Sequence, residues 1–173
     1  MINKKILSEI ALYQGELKMP RGFEIDRSVL VKNTSLSQLY IDVDPIFSVE
    51  YDKISTYIKD YMRVEYKYEL IDVDTWGNYF EKNEKTEPLL QLKPQDLLNS
   101  ADFVCLYGVE IDGDTCEICI HYDDNKRKGM IWKINLTTNK FLIFPSSQLY
   151  YINNKNNHCL NYVETITYHY VGY

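Results

Sequence analysis

The chain has 173 residues, 45% hydrophobic and 25% charged, which suits one globular domain and excludes a disordered or membrane-embedded chain. Its net charge of -6 disfavours a nucleic-acid partner, because such partners normally meet a basic stripe. Aromatic residues make up 14% of the chain, mostly as 16 Tyr, and tyrosine favours β structure and interfaces.

The hydropathy pattern predicts neither a membrane protein nor a secreted one. No stretch approaches the ~20 consecutive apolar residues of a membrane-spanning helix. Lysines, Ser8 and Glu9 interrupt residues 1–17, so this segment does not have the pattern of a signal peptide. We therefore expect a soluble protein inside a cell or a virion.

The N-terminal part is predicted to be helical or irregular. Residues 2–13 place apolar side chains on one helical face and predict a short helix. Residues 19–43 have the composition of irregular structure, with one strand predicted over 37–43. The clearest helix is predicted over 49–64, where Ser48 is a good N-cap and apolar residues repeat at three and four positions.

After this helix, the apolar period changes from about 3.6 to 2, which is the period of β-strands. Short runs of Asp, Asn and Gly separate the strands, and a basic run at 126–128 is interpreted as a solvated hairpin tip. Many short strands at this spacing favour a sandwich or barrel over a parallel sheet. The predicted strands are 64–73, 75–80, 103–111, 116–122, 130–134, 140–144 and 162–171, with a further strand at 150–152 and a helical turn at 94–100.

The cysteines do not form a convincing metal or redox motif. Cys116 and Cys119 have the C-x-x-C spacing, but they lie in a predicted strand, where an offset of three sends side chains to opposite faces. A zinc site would also need a second pair. We interpret Cys105, Cys116, Cys119 and Cys159 as buried, reduced thiols.

Two passages carry a resemblance to a known family. They are Thr-Trp-Gly-Asn-Tyr-Phe-Glu-Lys-Asn-Glu at 75–84, followed by the strand from Phe103, and Asn-Lys-Phe-Leu-Ile-Phe-Pro-Ser-Ser-Gln-Leu-Tyr at 139–150, followed by the last strand. They resemble the jelly-roll core of prolyl-hydroxylase-like 2-oxoglutarate/iron(II) oxygenases, which shows a Trp-containing strand and a Phe-Pro-Ser strand end in this order.

The resemblance implies a mainly β (α+β) fold, a double-stranded β-helix or jelly roll with one or two N-terminal packing helices. We expect a single domain over residues 1–173. Residues 1–65 would form a helical or irregular part that packs on the sheet, and residues 66–173 would form the jelly-roll core.

The chain also resembles an uncharacterised group of proteins from tailed phages of marine cyanobacteria. The shared phrases are Tyr-Asp-Asp-Asn-Lys-Arg-Lys-Gly at 122–129 and Phe-Pro-Ser-Ser at 144–147. This resemblance covers most of the chain and implies a phage protein of the virion or of the host cytoplasm, without an established activity.

The residues that an oxygenase of this family needs do not stand where the resemblance implies them. The first iron ligands, a His-x-Asp or His-x-His pair, are expected within residues 88–94, which contain no histidine. The distal His is expected at Tyr150 or Tyr151, and the Arg that grips the co-substrate carboxylate at residues 161–163. Because a two-His, one-carboxylate face is missing, we predict no catalytic residue, no metal and no cofactor.

An alternative metal site uses the histidines that are present. His121 and Asp123 spell His-x-Asp at a strand end, on one face, and His169 on the last strand could join them. On this interpretation the chain is an active dioxygenase that uses Fe(II) and 2-oxoglutarate. Alternation also allows His121 to be a surface histidine, because Ile118 and Ile120 mark the opposite, buried face.

The leading hypothesis is a non-catalytic jelly-roll protein that acts as a structural or protein-binding component. Its partner would be another protein or further copies of itself in a homo-oligomer, as a component of a virion. A third hypothesis is a small-ligand pocket in the mouth of the jelly roll. Aromatic side chains are typical of interface cores. The tyrosines predicted to form a binding surface are Tyr150, Tyr151, Tyr168, Tyr170 and Tyr173.

Overall fold

The computed structural model describes residues 10–18, 24–39, 49–123, 129–155 and 159–171, with the backbone alone for 37–39 and 123. Within these ranges the chain forms two helices and eight strands. In chain order they are β1 (Tyr13–Glu16), α1 (Arg27–Leu39), α2 (Val49–Tyr66), β2 (Glu69–Phe80), β3 (Phe103–Glu110), β4 (Cys116–Asp123), β5 (Gly129–Leu136), β6 (Lys140–Pro145), β7 (Tyr150–Asn154) and β8 (Asn161–Val171).

The strands form two antiparallel sheets that pack face to face as a jelly roll. The major sheet has the order β1-β6-β3-β8-β2, and the minor sheet has the order β5-β4-β7. Side chains from both inner faces build one apolar core between the sheets, as alternation along each strand requires. Its fully buried members include Val104, Leu106, Ile118, Leu136 and Val163. The predicted fold class is confirmed.

The helix α2 covers the outer face of the major sheet. Its buried residues Tyr51, Ile54, Ile58 and Met62 recur at intervals of three and four, so they form one stripe along the helix. This stripe belongs to a second core with side chains of β3 and β8, among them Tyr107. The predicted helix is confirmed and ends two residues later, at Tyr66.

The helix α1 was missed, and the prediction of irregular structure there is wrong. The carboxylate of Asp26 accepts hydrogen bonds from the backbone N–H of Ser28 (2.9 Å) and Val29 (3.4 Å), which is the geometry of an N-cap. The strand predicted over 37–43 is also wrong for residues 37–39, which lie in α1, while 40–43 lie outside the described residues. Ser, Thr and Asn interrupt the apolar stripe of this helix, and its β-branched Val and Thr residues lower its intrinsic helix propensity.

Close packing places α1 over β2 at Gly77. A Cβ atom at this position would lie 2.5 Å from the Cα of Thr34 in α1, so only glycine allows the helix to approach the strand so closely. The Trp76-Gly77 pair of the sequence therefore marks the point where the helical layer meets the sheet.

The segment before α1 contributes a strand rather than a helix. Residues 10–12 are not helical, and β1 pairs with β6 from Tyr13↔Ile143 to Glu16↔Lys140. The helix predicted over 2–13 is thus wrong at its C-terminal end, and residues 2–9 lie outside the described residues. The N-terminal part therefore contributes a strand to the major sheet, where β1 lies at the edge next to β6.

The remaining predicted elements are close to the observed ones. The two strands predicted over 64–73 and 75–80 are one strand, β2, whose pairing with β8 shifts register between Asp72 and Thr75. The predicted strand is wrong for residues 64–66, because α2 continues to Tyr66. Residues 94–100 form turns instead of a helical turn. The basic run at 126–128 lies outside the described residues. None of the helices in the described ranges is long and apolar enough to cross a membrane.

The cysteines of β4 point to opposite faces, as predicted. Cys116 belongs to the core between the sheets, whereas the Cys119 thiol lies 3.5 Å from the carboxylate of Glu117 on the outer face. Cys105, Cys116 and Cys119 are free and buried, which confirms their prediction, and burial raises the pKa of Cys116 to about 12. Cys159 is exposed because it precedes β8 outside the sheets, so its predicted burial is wrong.

A carboxyl group is buried between the major sheet and the helices. Glu164 of β8 lies opposite Gly77 of β2 and Tyr107 of β3, and 6% of its surface is exposed. Its Oε2 atom and the Oγ1 atom of Thr34 are both buried without a hydrogen-bond partner among the described residues. Burial raises the pKa of Glu164 to about 7, so the folded chain holds this carboxyl protonated below neutral pH.

We expect this carboxyl to make the fold less stable as pH rises. The unfolded chain loses the proton near pH 4.5 and the folded chain near pH 7, so the free energy of unfolding falls between these values. Glu164→Gln keeps a neutral side chain and should be more stable than wild type at pH 8, by on the order of 3 kcal/mol, and similar to it at pH 5. Urea denaturation at both pH values measures the difference.

The exposed Glu110 of β3 supplies the matched control. Glu110→Gln should leave the pH dependence of wild type unchanged. A Glu164→Gln variant with the same pH dependence as wild type would contradict the assignment.

Candidate functional site

The positions where the resemblance implies iron ligands lie along one edge of the minor sheet. An edge segment (residues 84–93) runs antiparallel beside β7, with bridges Lys85↔Asn153 and Leu89↔Tyr150. The N–H of Leu89 donates to the carbonyl of Tyr150 (2.7 Å), and the N–H of Tyr150 donates back (3.0 Å). The edge segment therefore acts as an additional strand that closes this side of the jelly roll.

Tyr150 fills the interior next to this segment. Its side chain is 1% exposed, and its ring packs edge-on against Phe144 with the ring centroids 5.1 Å apart. Gln91 Nε2 donates a hydrogen bond to the Tyr150 hydroxyl (3.1 Å), and Leu89 packs against the core between the sheets. Burial raises the pKa of Tyr150, so the phenol is neutral and its oxygen is engaged.

The position implied for the carboxylate-binding Arg is also part of the packed interior. Asn161 is fully buried, and its amide donates to Asn154 Oδ1 (2.6 Å) and to Thr115 Oγ1 (2.9 Å) while accepting from the N–H of Asp112 (2.8 Å). Val163, the next residue on the same face, is buried in the apolar core. Both side chains therefore contribute to packing and to an internal amide network.

The residues of the alternative metal site are on different sheets. His121 lies on β4 of the minor sheet, with its ring 5.7 Å from that of Tyr151. His169 lies on β8 of the major sheet, with Nδ1 3.7 Å from the carboxylate of Asp102. No group of three His, Cys, Asp or Glu side chains that could hold a metal exists among the described residues, which do not include the side chain of Asp123.

The outer face of β4 carries an ionic cluster instead. Glu117 is 6% exposed, and its carboxylate pairs with Lys155 (2.6 Å) and, more distantly, with Lys133 (3.5 Å). The hydrogen bond from Lys155 lowers the pKa of Glu117 to about 2. Lys85 from the edge segment lies over the ring of Tyr151, 4.2 Å from its centroid. These contacts join the edge segment and β7 to the middle of the minor sheet.

Two of the tyrosines predicted to form a binding surface are not on the surface. Tyr150 and Tyr168 are 1% and 0% exposed, so their predicted exposure is wrong. Tyr150 fills the core between the sheets, and Tyr168 fills the core between the major sheet and the helices. Tyr151 is half-buried and Tyr170 is 42% exposed, and a partner contact at these two remains a prediction. Tyr173 lies outside the described residues.

The opposite edge of the jelly roll is open and contains a cavity of about 610 Å³. The cavity lies between β1 of the major sheet and β5 of the minor sheet, which are the free edges of their sheets. The hypothesis of a small-ligand pocket in the mouth of the jelly roll named no lining residues. The signal for this edge was the run of three consecutive apolar residues, Met130 to Trp132, which breaks the alternation of a strand with one buried face. Its lining is mainly apolar, with Ile10, Leu12, Ile120, Trp132, Ile134 and Phe144.

Comparison with solved structures finds the same fold in oxygenases. A prolyl-4-hydroxylase from Pseudomonas putida is similar with a TM-score of 0.62 and 10% identity, over 91% of this chain and 84% of that chain. The fold is that of the 2-oxoglutarate/iron(II) oxygenases. HygX from Streptomyces hygroscopicus, solved with iron bound, has a TM-score of 0.55 and 10% identity, over 92% of this chain and 82% of that chain.

A prolyl hydroxylase from Trichoplax adhaerens is also similar, with a TM-score of 0.53 and 11% identity over 69% of this chain and 56% of that chain. No protein-family model matches the sequence, and no curated protein matches it. At these identities the likeness concerns the fold alone.

The bond between Gln91 and Tyr150 should contribute measurably to stability. We expect Tyr150→Phe and Gln91→Ala each to lower the free energy of unfolding, and the double variant to show a coupling of about 1 kcal/mol, because both changes remove the same hydrogen bond. Urea denaturation of the four proteins of this cycle gives the coupling. Strictly additive effects would show that the two side chains do not interact.

Proposed function

We propose that this chain is a non-catalytic binding protein built on the oxygenase jelly roll. The observation that carries the proposal is the hydrogen bond between Gln91 and Tyr150 at the position implied for the iron ligands. An iron site of this kind needs two imidazoles and one carboxylate with open coordination positions. Leu89, Gln91 and Tyr150 offer an apolar side chain, an amide and a neutral phenol, so the donor set does not fit.

The exposed apolar residues of β5 support a binding role. Met130, Ile131 and Trp132 are 59%, 47% and 56% exposed, and they adjoin the cavity at the open edge of the jelly roll. Contiguous apolar surface of this kind is typical of interaction sites. We propose that the partner is a protein, either another chain or a further copy of this one. From the phage resemblance alone, we propose a role in the virion or in the infected cell.

The non-catalytic proposal predicts that Fe(II) and 2-oxoglutarate do not stabilise the protein. A ligand that binds only the folded state raises the melting temperature. We expect no cooperative shift when the two are added separately and together under anaerobic conditions, in wild type and in His121→Ala. HygX, whose structures contain iron or nickel with 2-oxoglutarate, serves as the positive control.

Two results of this titration would overturn the proposal. A cooperative shift that is lost in His121→Ala would favour the active dioxygenase with the rearranged site of His121, Asp123 and His169. A cooperative shift that His121→Ala retains would place the metal at other residues and would equally contradict a non-catalytic protein.

A further inference from the structure

The strand β5 is an unprotected edge. It is the terminal strand of the minor sheet, and no strand in the described ranges pairs with its outer side. It contains no proline, and Lys133 is its one charged residue. Natural proteins usually protect such an edge with charges, proline or a bulge, because an open edge accepts another strand. Here three of its large apolar side chains are exposed instead, at Met130, Ile131 and Trp132.

The backbone groups on this edge can be identified from the pairing of β4. The N–H of His121 donates to Leu149 on the β7 side (2.8 Å), so the odd-numbered residues of β4 point toward β7. The even-numbered residues then point toward β5, where Ile120 lies opposite Trp132 and Ile118 opposite Ile134. By the same alternation, the N–H and C=O groups of Ile131, Lys133 and Asn135 point away from the sheet.

The cavity lies directly beside this edge. Its walls include Trp132 and Ile134 of β5, together with Leu12, which directly precedes β1. A strand added to β5 would place alternate side chains over this cavity, because inward-facing residues of neighbouring strands share one face. The unpaired N–H and C=O groups of β5 and the apolar cavity thus suit the same kind of occupant, an extended strand with apolar residues at alternate positions.

We propose that the occupant is the β5 strand of a second copy, paired antiparallel about a two-fold axis. This inference rests on the proposed binding function and names its partner. The strand is self-complementary, because it supplies both the open backbone edge and the exposed apolar side chains that would cover the cavity. Two-fold dimers are also the commonest symmetric assemblies. The minor sheets, with three strands each, then form one continuous sheet.

Charge and overlap select one register. Outward-pointing residues, which are odd-numbered, must lie opposite each other across the axis. The axis therefore passes through a residue and not between two, and the positions near the middle of β5 are Ile131, Trp132 and Lys133. An axis at Lys133 would place two lysines directly opposite each other, which is destabilising. An axis at Ile131 shortens the overlap at one end of Gly129–Leu136.

The axis therefore passes through Trp132, which faces Trp132 of the partner subunit. In this register Met130 lies opposite Ile134 of the partner subunit, so apolar side chains meet on the inner face. On the outer face Ile131 lies opposite Lys133 of the partner subunit, whose methylene stem can pack on it.

Lys133→Pro and Lys133→Thr form a matched pair that tests the dimer. Both remove the charge, but proline also removes the outward N–H and blocks the edge. This N–H is not used in the pairing with β4, so the fold should persist, which circular dichroism and a melting curve check. We expect sedimentation equilibrium to show dimers for wild type. Dimerisation should be at least about tenfold weaker for Lys133→Pro than for Lys133→Thr, which loses the same side-chain contacts but keeps the outward N–H.

The oligomeric state can also contradict the proposal. A wild-type protein that stays monomeric at its highest soluble concentration would overturn it. Equal dimerisation of Lys133→Pro and Lys133→Thr would show that the copies meet elsewhere. Iron binding by a dimer would remove the non-catalytic function and leave this interface standing, so the two failures are distinguishable.

A cross-linking experiment tests the register without relying on the proline variant. In a Cys159→Ser background, which removes the exposed thiol, Trp132→Cys places two thiols across the axis. Directly opposed residues of this pair have Cα atoms about 4.5–5.5 Å apart, which suits a disulfide. We expect mild oxidation to give a covalent dimer from Trp132→Cys and much less from Lys133→Cys. Equal yields would overturn the register.

Discussion

The insertion of β8 between β2 and β3 is the interaction on which the rest of the structure depends. The last strand of the described chain pairs with β2 from Glu69↔Val171 to Phe80↔Asn161 and with β3 along most of its length. One face of β8 contributes Val163 to the core between the sheets, and the other contributes Ile166 and Tyr168 to the core beneath the helices. Both cores are therefore incomplete until these distant segments pair, which is typical of slow-folding β topologies.

Because both faces of β8 are covered, a carboxyl group on this strand is buried. Glu164 lies on the face of β8 that points toward the helices. Its neighbour on β2 is Gly77, over which Thr34 of α1 packs. The close approach of helix and sheet excludes water from the carboxyl. Burying the protonated carboxyl costs less free energy than burying the charged form, because the protonated form is neutral. The raised pKa of about 7 reflects this difference.

The two lateral edges of the jelly roll differ in what covers them. On one side the edge segment pairs with β7, Lys85 lies over the ring of Tyr151, and Gln91 donates a hydrogen bond to the buried Tyr150. On the other side β1 and β5 stay apart and leave a cavity with apolar walls. The side where the resemblance implies iron ligands is thus closed by these contacts, and the cavity lies at the other edge, beside β5.

Particular elements show how far the sequence could predict the candidate site. The strands from Phe103 onward and the helix α2 were predictable, because their apolar residues repeat with a clean period. The absence of His in residues 88–94 was also visible in the sequence. The burial of Tyr150 and Tyr168 was not, since a tyrosine on a covered face of a strand has the same local pattern as one at an interface. The helix α1 was missed because its cap, Asp26, precedes a segment with a weak apolar stripe.

Local periodicity in the sequence determined a sandwich or barrel of short strands, the alternation of faces along each strand and the opposite directions of Cys116 and Cys119. The jelly-roll class came from the resemblance of two sequence passages to a known family. The tertiary structure alone decided which strand ends meet, how Gln91 comes to bond Tyr150, and which edges stay open. Those contacts join residues far apart in the chain, and no local pattern specifies which of several similar strands lies beside which.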